Sequence, residues 1–196
     1  MSIKIEHLSK SFGKKNIFTD FNYTFADTGI YVICGESGVG KTTLLRIIAG
    51  LDKDYTGTVD RSTSGVSVCF QEYRLFDSIT AIENVTEVSF KKATSGDVDE
   101  VKKLFARLNL SDEDVNLYPP ELSGGMKQRV AFVRAVAKKA PVLILDEPTK
   151  EVDPENASVM RQIIKEEGKR RLVILVSHNQ DDIQDVDATI IDISTH

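Results

Sequence analysis

Apolar and polar residues alternate at the start of the chain: Ile3 and Ile5, then Phe21, Tyr23 and Phe25, are each separated by polar positions. A period of two turns one face toward a core and the other toward solvent, which predicts half-buried antiparallel strands. Farther on the pattern becomes unbroken apolar runs, at Ile30-Tyr31-Val32-Ile33-Cys34, Val142 to Leu145 and Leu172 to Val176. Strands covered on both faces read this way, so these runs predict a parallel sheet. Helical stretches separate them. Lys41 to Ala49 closes at Gly50, and Ala131 to Ala137 predicts a second helix with Val130, Val133 and Val136 on one side. A third opens with Asp153 as N-cap and Pro154 in the first turn, and Gly168 is expected to stop it.

Between Gln71 and Glu121 the pattern shortens into charged helical pieces, with Val98, Val101, Leu104, Phe105 and Leu108 on one amphipathic face. Asp97-Val98-Asp99-Glu100 suits a helix start, and Pro119-Pro120 breaks the helical run before Leu122. The fold expected is therefore α/β: a mostly parallel core, an N-terminal antiparallel β layer and an inserted helical subdomain. The core is expected over residues 1–70 and 136–196, with the helical part over about 72–135.

At 196 residues and 41% hydrophobic content, the chain can bury a sizeable core as one domain. Its 25 basic and 30 acidic residues give a net charge of −5, and no Lys/Arg run stands out, so no nucleic-acid partner is expected. The apolar runs fall far short of the roughly 20 residues that span a bilayer, so a membrane role must pass through another chain. The first twenty residues lack a secretory pattern, and a cytoplasmic location is expected. Cys34 and Cys69 each follow a β-branched run and are expected to serve as small apolar side chains rather than metal or redox groups.

Gly35-Glu36-Ser37-Gly38-Val39-Gly40-Lys41-Thr42 lies between a predicted strand and a predicted helix. Its spacing is that of a phosphate loop, in which glycines let backbone N–H groups turn inward on a phosphate at a helix N-terminus. Lys41 adds a compact cation for β- and γ-phosphates, and Thr42, followed by Thr43, offers a hydroxyl to Mg²⁺. Asp146 ends the Val142 to Leu145 strand, where an acid can hold Mg²⁺, and Glu147 follows as a carboxylate able to orient and deprotonate water. Leu122-Ser123-Gly124-Gly125-Met126-Lys127-Gln128-Arg129 supplies a second anion-accepting helix start, which one nucleotide does not need.

That stretch resembles the signature motif of ABC-type ATPases, and the phosphate loop, Asp146-Glu147 and His178 fall in that family's order. The resemblance covers essentially the whole chain and implies a P-loop NTPase core that binds ATP with Mg²⁺. It implies two copies packed head to tail, each ATP lying between the phosphate loop of one and Ser123, Gly124 and Gly125 of the other. Gln71 matches the glutamine that contacts Mg²⁺ and water; His178 matches the histidine that touches the γ-phosphate and fixes the geometry around Glu147. Phe12 matches the aromatic position that stacks on adenine, the alternative being packing within the β layer.

Gln71 to Val85 looks like the part of transporter subunits that receives a membrane permease. Leu75, Phe76 and Ile79 would either form that groove or pack the helical lobe. The resemblance thus implies an ATPase subunit on the inner face of the cell membrane, powering solute transport. The alternative is a soluble ABC ATPase that regulates or assembles a cytosolic complex. Within transporters, Gln71-Glu72-Tyr73-Arg74-Leu75 and Gly-Gly-Met-Lys-Gln-Arg resemble the nitrate, sulfonate and taurine import group. The C-terminal extension of some importers is not expected here. One departure stands out: where the family usually continues Ser-Ala-Leu-Asp after Glu147-Pro148-Thr149, this chain reads Lys150-Glu151-Val152-Asp153. Bulky charges at an expected dimer seam put the usual contacts between copies in doubt.

Overall fold

The computed structural model describes residues 3–61 and 65–194. Strands β1 (Ile3–Phe12) and β2 (Lys15–Phe25) pair antiparallel, Ile5 opposite Tyr23 and Ile3 opposite Phe25. A further strand, β4 (Thr56–Arg61), joins β1 on its other edge to give a three-stranded layer in the order β2-β1-β4. Its inward face buries Ile3, Ile5, Leu8, Phe18, Phe21 and Phe25. Each buried phenylalanine contributes about 1.5–3 kcal/mol of transfer free energy, so this face alone commits the layer to the core.

The second sheet is parallel, in the order β5-β6-β7-β3-β8, from β3 (Gly29–Cys34), β5 (Val66–Cys69), β6 (Val142–Asp146), β7 (Leu172–Val176) and β8 (Thr189–Asp192). Every residue of β6 and β7 is buried, as their unbroken apolar runs require. Alternate residues divide between two cores. Ile144, Ile174 and Ile33 face the β layer and α1 (Lys41–Ile48), while Leu143, Leu145, Val173 and Leu175 face the remaining helices.

Those helices are α2 (Ala81–Ser89), α3 (Ser95–Arg107), α4 (Gly124–Ala137), α5 (Pro154–Gly168) and the short α6 (Gln180–Gln184). Both α2 and α3 start with capping boxes, Thr80 with Glu83 and Thr94 with Asp97, each side chain bonding the other's backbone N–H. Val101, Phe105 and Leu108 bury the expected face of α3, with Leu104 half-buried against it. The core that they enter is continuous with that face of the parallel sheet, through α4.

Helix α4 runs farther than the apolar stretch Ala131 to Ala137: it begins at Gly124, at the helix start expected from the Ser123 to Gly125 motif, because Ser123 caps it by accepting from the Met126 N–H. A capped first turn tolerates glycines that are poor helix formers elsewhere. Gly168 ends α5 as expected, without a left-handed backbone. Its role is space: a Cβ there would lie 2.4 Å from Ile30 Cγ1.

Candidate functional site

The register of the parallel sheet brings the strand ends to one level: Ile33 and Asp146 each pair with Val176, and Cys69 pairs with Leu145. Loops leaving these ends therefore meet outside the carboxyl edge, where open α/β sheets bind ligands. A cleft of about 410 Å³ opens there. Phe12, Ser37, Gly38, Gly40, Lys41, Thr42, Thr43, Gln71, Asp146, Glu147 and His178 all line it.

The loop from Gly35 to Gly40 wraps around Lys41. Buried to 7% exposure, Lys41 donates from Nζ to the carbonyls of Gly35 at 2.7 Å and Glu36 at 2.9 Å. Val39 closes a turn onto the Glu36 carbonyl, 3.3 Å away. Gly40, N-cap of α1, has φ 117°, and a Cβ on it would stand 2.4 Å from Ile17 Cγ2. Only glycine fits that position, which lets the chain turn from loop to helix with its first N–H groups facing the cleft.

Asp146 accepts the Thr42 hydroxyl at 3.1 Å across 104 residues of chain. Burial raises its pKa from the ordinary carboxylate value; the Thr42 bond opposes this, the Glu147 charge adds to it, and Lys41 and His178 oppose it. A buried carboxylate short of counter-charge beside a hydroxyl fits a small oxygen-seeking cation such as Mg²⁺.

Glu147 is one residue past β6 and adopts φ 49°, the left-handed region that a non-glycine residue enters at a cost of about 1–3 kcal/mol. Its N–H donates to the Val176 carbonyl at 2.8 Å, so the two strand ends hold its backbone. The carboxylate is mostly covered, and its Oε1 lies 3.5 Å from His178 Nε2. Phe12 is 53% exposed at the cleft mouth, with Lys10 Nζ 4.7 Å from its ring centroid. An exposed ring is not packing the β layer.

Ser123, Gly124 and Gly125 do not line this cleft; they form the cap and first turn of α4, with Ser123 exposed and the two glycines partly buried. Of the proposed docking residues, Phe76 is 56% exposed, whereas Leu75 and Ile79 are half-buried, Leu75 against the main core. Burial pushes the Cys69 thiol up to about 12, and Cys34 is partly buried.

Further side chains shape the site. Asp182, fully buried on α6, accepts from Thr149 Oγ1 at 2.5 Å and Ser177 Oγ at 2.7 Å, and pairs with Arg161 at 3.2 Å. It thereby ties the loop after Glu147 to the residue before His178. Gln128, buried on α4, donates to the Pro148 carbonyl at 2.9 Å. Lys150 Nζ lies 3.3 Å from Glu147 Oε2. Gln128 stands in the signature stretch and Lys150 in the segment that departs from the family, whereas Asp182 carried no motif; near it, Asn179 caps α6.

Comparison with known proteins places the arrangement. The chain is 36% identical to the sulfate/thiosulfate import ATP-binding protein CysA of Mannheimia succiniciproducens, the match covering 97% of this chain and 58% of that protein. It is 34% identical to the arginine transport ATP-binding protein ArtM of Bacillus subtilis (84% and 75% covered). With the aliphatic sulfonates import ATP-binding protein SsuB of Bacillus licheniformis it shares 36% identity (93% and 76% covered). The chain thus spans under two thirds of the length of the first of these relatives. Its structure is similar to an ATP-binding cassette solved as a dimer in a post-hydrolysis state with ADP and Pi, with TM-score 0.84 and 25% identity, covering 98% of this chain and 94% of that one. The ABC transporter family model matches residues 18–150, and with this arrangement of phosphate loop, acids and histidine around one cleft, the chain belongs to the ABC transporter family.

Proposed function

We propose that this chain is an ATP-binding and ATP-hydrolysing subunit that powers solute transport through partner permease subunits. The observation that carries the reading is the single cleft in which Lys41, Thr42, Asp146, Glu147 and His178 converge. Lys41 and the N–H groups from Ser37 to Thr43 hold the phosphates, Lys41 exchanging backbone carbonyls for phosphate oxygens. Phe12 offers an exposed ring face to the adenine. Thr42, Asp146 and Gln71 would hold Mg²⁺, which neutralises charge on the β- and γ-phosphates when bound.

Glu147 orients the attacking water and accepts its proton, while His178, beside the carboxylate, fixes that geometry and touches the γ-phosphate. The left-handed backbone of Glu147 keeps its side chain over the cleft instead of continuing the strand. Ser123, Gly124 and Gly125 present a capped helix N-terminus outside the cleft, and we assign it to the γ-phosphate bound by a second, head-to-tail copy. The segment from Gln71 to Val85, with Phe76 exposed, is the proposed permease contact, which would hold the protein at the inner face of the membrane. The import and transport names of the relatives support this partner. No helix among the described residues is long and apolar enough to cross a membrane itself.

The test is ATP turnover by the purified chain and by Glu147→Gln. Loss of a general base lowers turnover by about 10²–10⁴-fold, with nucleotide still bound. A Glu147→Gln protein that hydrolyses ATP at the parent rate removes Glu147 from this role.

A further inference from the structure

The residues that depart from the family's Ser-Ala-Leu-Asp make contacts within their own chain. Two overlapping turns follow β6: Lys150 N–H to the Glu147 carbonyl at 3.3 Å, and Val152 N–H to the Thr149 carbonyl at 3.1 Å. The first turn brings residues three apart together, so that Lys150 Nζ pairs with Glu147 Oε2 at 3.3 Å. The other carboxylate oxygen, Oε1, faces His178 at 3.5 Å. The two oxygens of Glu147 thus have different partners.

Glu151 anchors this turn. Its carboxylate accepts the Tyr73 hydroxyl, and that bond, first among the causes, pushes the Tyr73 phenol up to about 12. Tyr73 is itself fixed, since Arg134 of α4 donates to the Tyr73 and Arg74 carbonyls, both at 2.7 Å. The turn also presses on the start of α4. A Cβ at Gly124 would meet Glu151 Oε2 at 2.8 Å, and one at Gly125 would meet the Glu151 carbonyl oxygen at 2.9 Å. Lys150 is therefore carried on a backbone held by the segment after Gln71 and by the first turn of α4.

We propose that Lys150 is a positioning residue for Glu147, held in place by the Glu151–Tyr73 hydrogen bond. A cation on Oε2 fixes the rotation of the carboxylate and leaves Oε1 turned toward His178 and the cleft, where water must be deprotonated. The family's serine and alanine at these positions have neither the reach nor the charge to do this. The proposal rests on the ATPase reading above.

The test uses the full chain. Lys150→Ala is expected to lower kcat by about two- to fivefold, the range that a half-exposed ion pair can supply, with KM for ATP and the affinity for a fluorescent ATP analogue unchanged. Lys150→Arg is expected to restore kcat. In a Glu147→Gln background, Lys150→Ala should have no further effect on single turnover. Tyr73→Phe is expected to speed amide hydrogen exchange over residues 147–153 in the nucleotide-free protein, and to lower kcat without adding to Lys150→Ala. An unchanged or raised kcat in Lys150→Ala overturns the proposal, as does a loss that Lys150→Arg fails to restore or that persists without Glu147. Unaltered exchange in Tyr73→Phe overturns the anchor. An inactive parent protein overturns the ATPase reading and this proposal together, whereas an active parent with an unaffected Lys150→Ala overturns this proposal alone.

Discussion

Lys41 Nζ is held by two carbonyls of its own loop, so the cation already stands where phosphate oxygens would replace them. Lys41→Ala removes both the charge and the interactions that organise the loop. It is expected to abolish ATP binding measurable by fluorescence titration; retained tight binding would contradict the assignment. Asp182 acts at one remove. It collects two hydroxyls and an arginine in a fully buried position; without it the Thr149 and Ser177 hydroxyls lose their acceptor, while Arg161 keeps Asp185 at 3.0 Å. Asp182→Ala is expected to destabilise the protein by about 1–3 kcal/mol in urea unfolding. A loss below about 1 kcal/mol would show that the network is not structural. The contrast explains what could be read in advance. Lys41, Thr42, Asp146 and Glu147 sit at fixed spacings after apolar runs, and their backbone context is local. Asp182 acts through partners that only the folded chain supplies, Thr149 being 33 residues away, and no spacing announces it; Gln128 and Lys150 stand in stretches that the sequence singles out, yet their bonds to Pro148 and Glu147 appear only in the fold.

Among the helices and strands, period and punctuation placed most of the fold, because the buried runs of β6 and β7 and the alternation in β1 and β2 answer directly to burial. Gly168 ends α5 where a stop is expected, but in sequence a glycine ending a helix looks alike whether it turns left-handed or makes room. The difference has a sign. Helix propensity alone would make Gly168→Ala stabilising by about 1 kcal/mol, whereas the added Cβ, 2.4 Å from Ile30 Cγ1, forces overpacking that costs about 1–3 kcal/mol. We expect net destabilisation in chemical unfolding, relieved by Ile30→Ala; a stabilised variant would refute the close-packing account.

The capping boxes give a pH dependence. Bonds from Thr80 and Thr94 lower the pKa of the Glu83 and Asp97 carboxyls from their ordinary values of 4.5 and 3.8. A depressed folded value means that the stabilisation is complete above those ordinary values and is lost as pH falls through the folded ones. Helical ellipticity and melting temperature should therefore decline below about pH 4.5, and less so in Thr94→Ala, where the Asp97 bond is already gone. Identical acid limbs in parent and variant would contradict this contribution.

For the molecule as a whole, the exposed Phe76 and the capped start of α4 both lie outside the cleft, and both are assigned to other chains. Phe76 is 56% exposed, so Phe76→Asp should change stability by no more than about 0.5 kcal/mol. If the segment from Gln71 to Val85 receives a permease, the variant folds normally yet no longer co-purifies with its membrane partner; undiminished co-purification would place the contact elsewhere. Leu75 is a poorer probe, because it also packs the core.

The second copy is the central claim, since the cleft holds its own phosphate loop, acids and histidine while Ser123 to Gly125 lie outside it. The most direct measurement is sedimentation velocity of Glu147→Gln with and without Mg-ATP. The account predicts a monomer without nucleotide and a stable dimer with it, abolished when Ser123→Arg blocks the helix start. A Glu147→Gln protein that binds ATP and stays monomeric at micromolar concentration would contradict it.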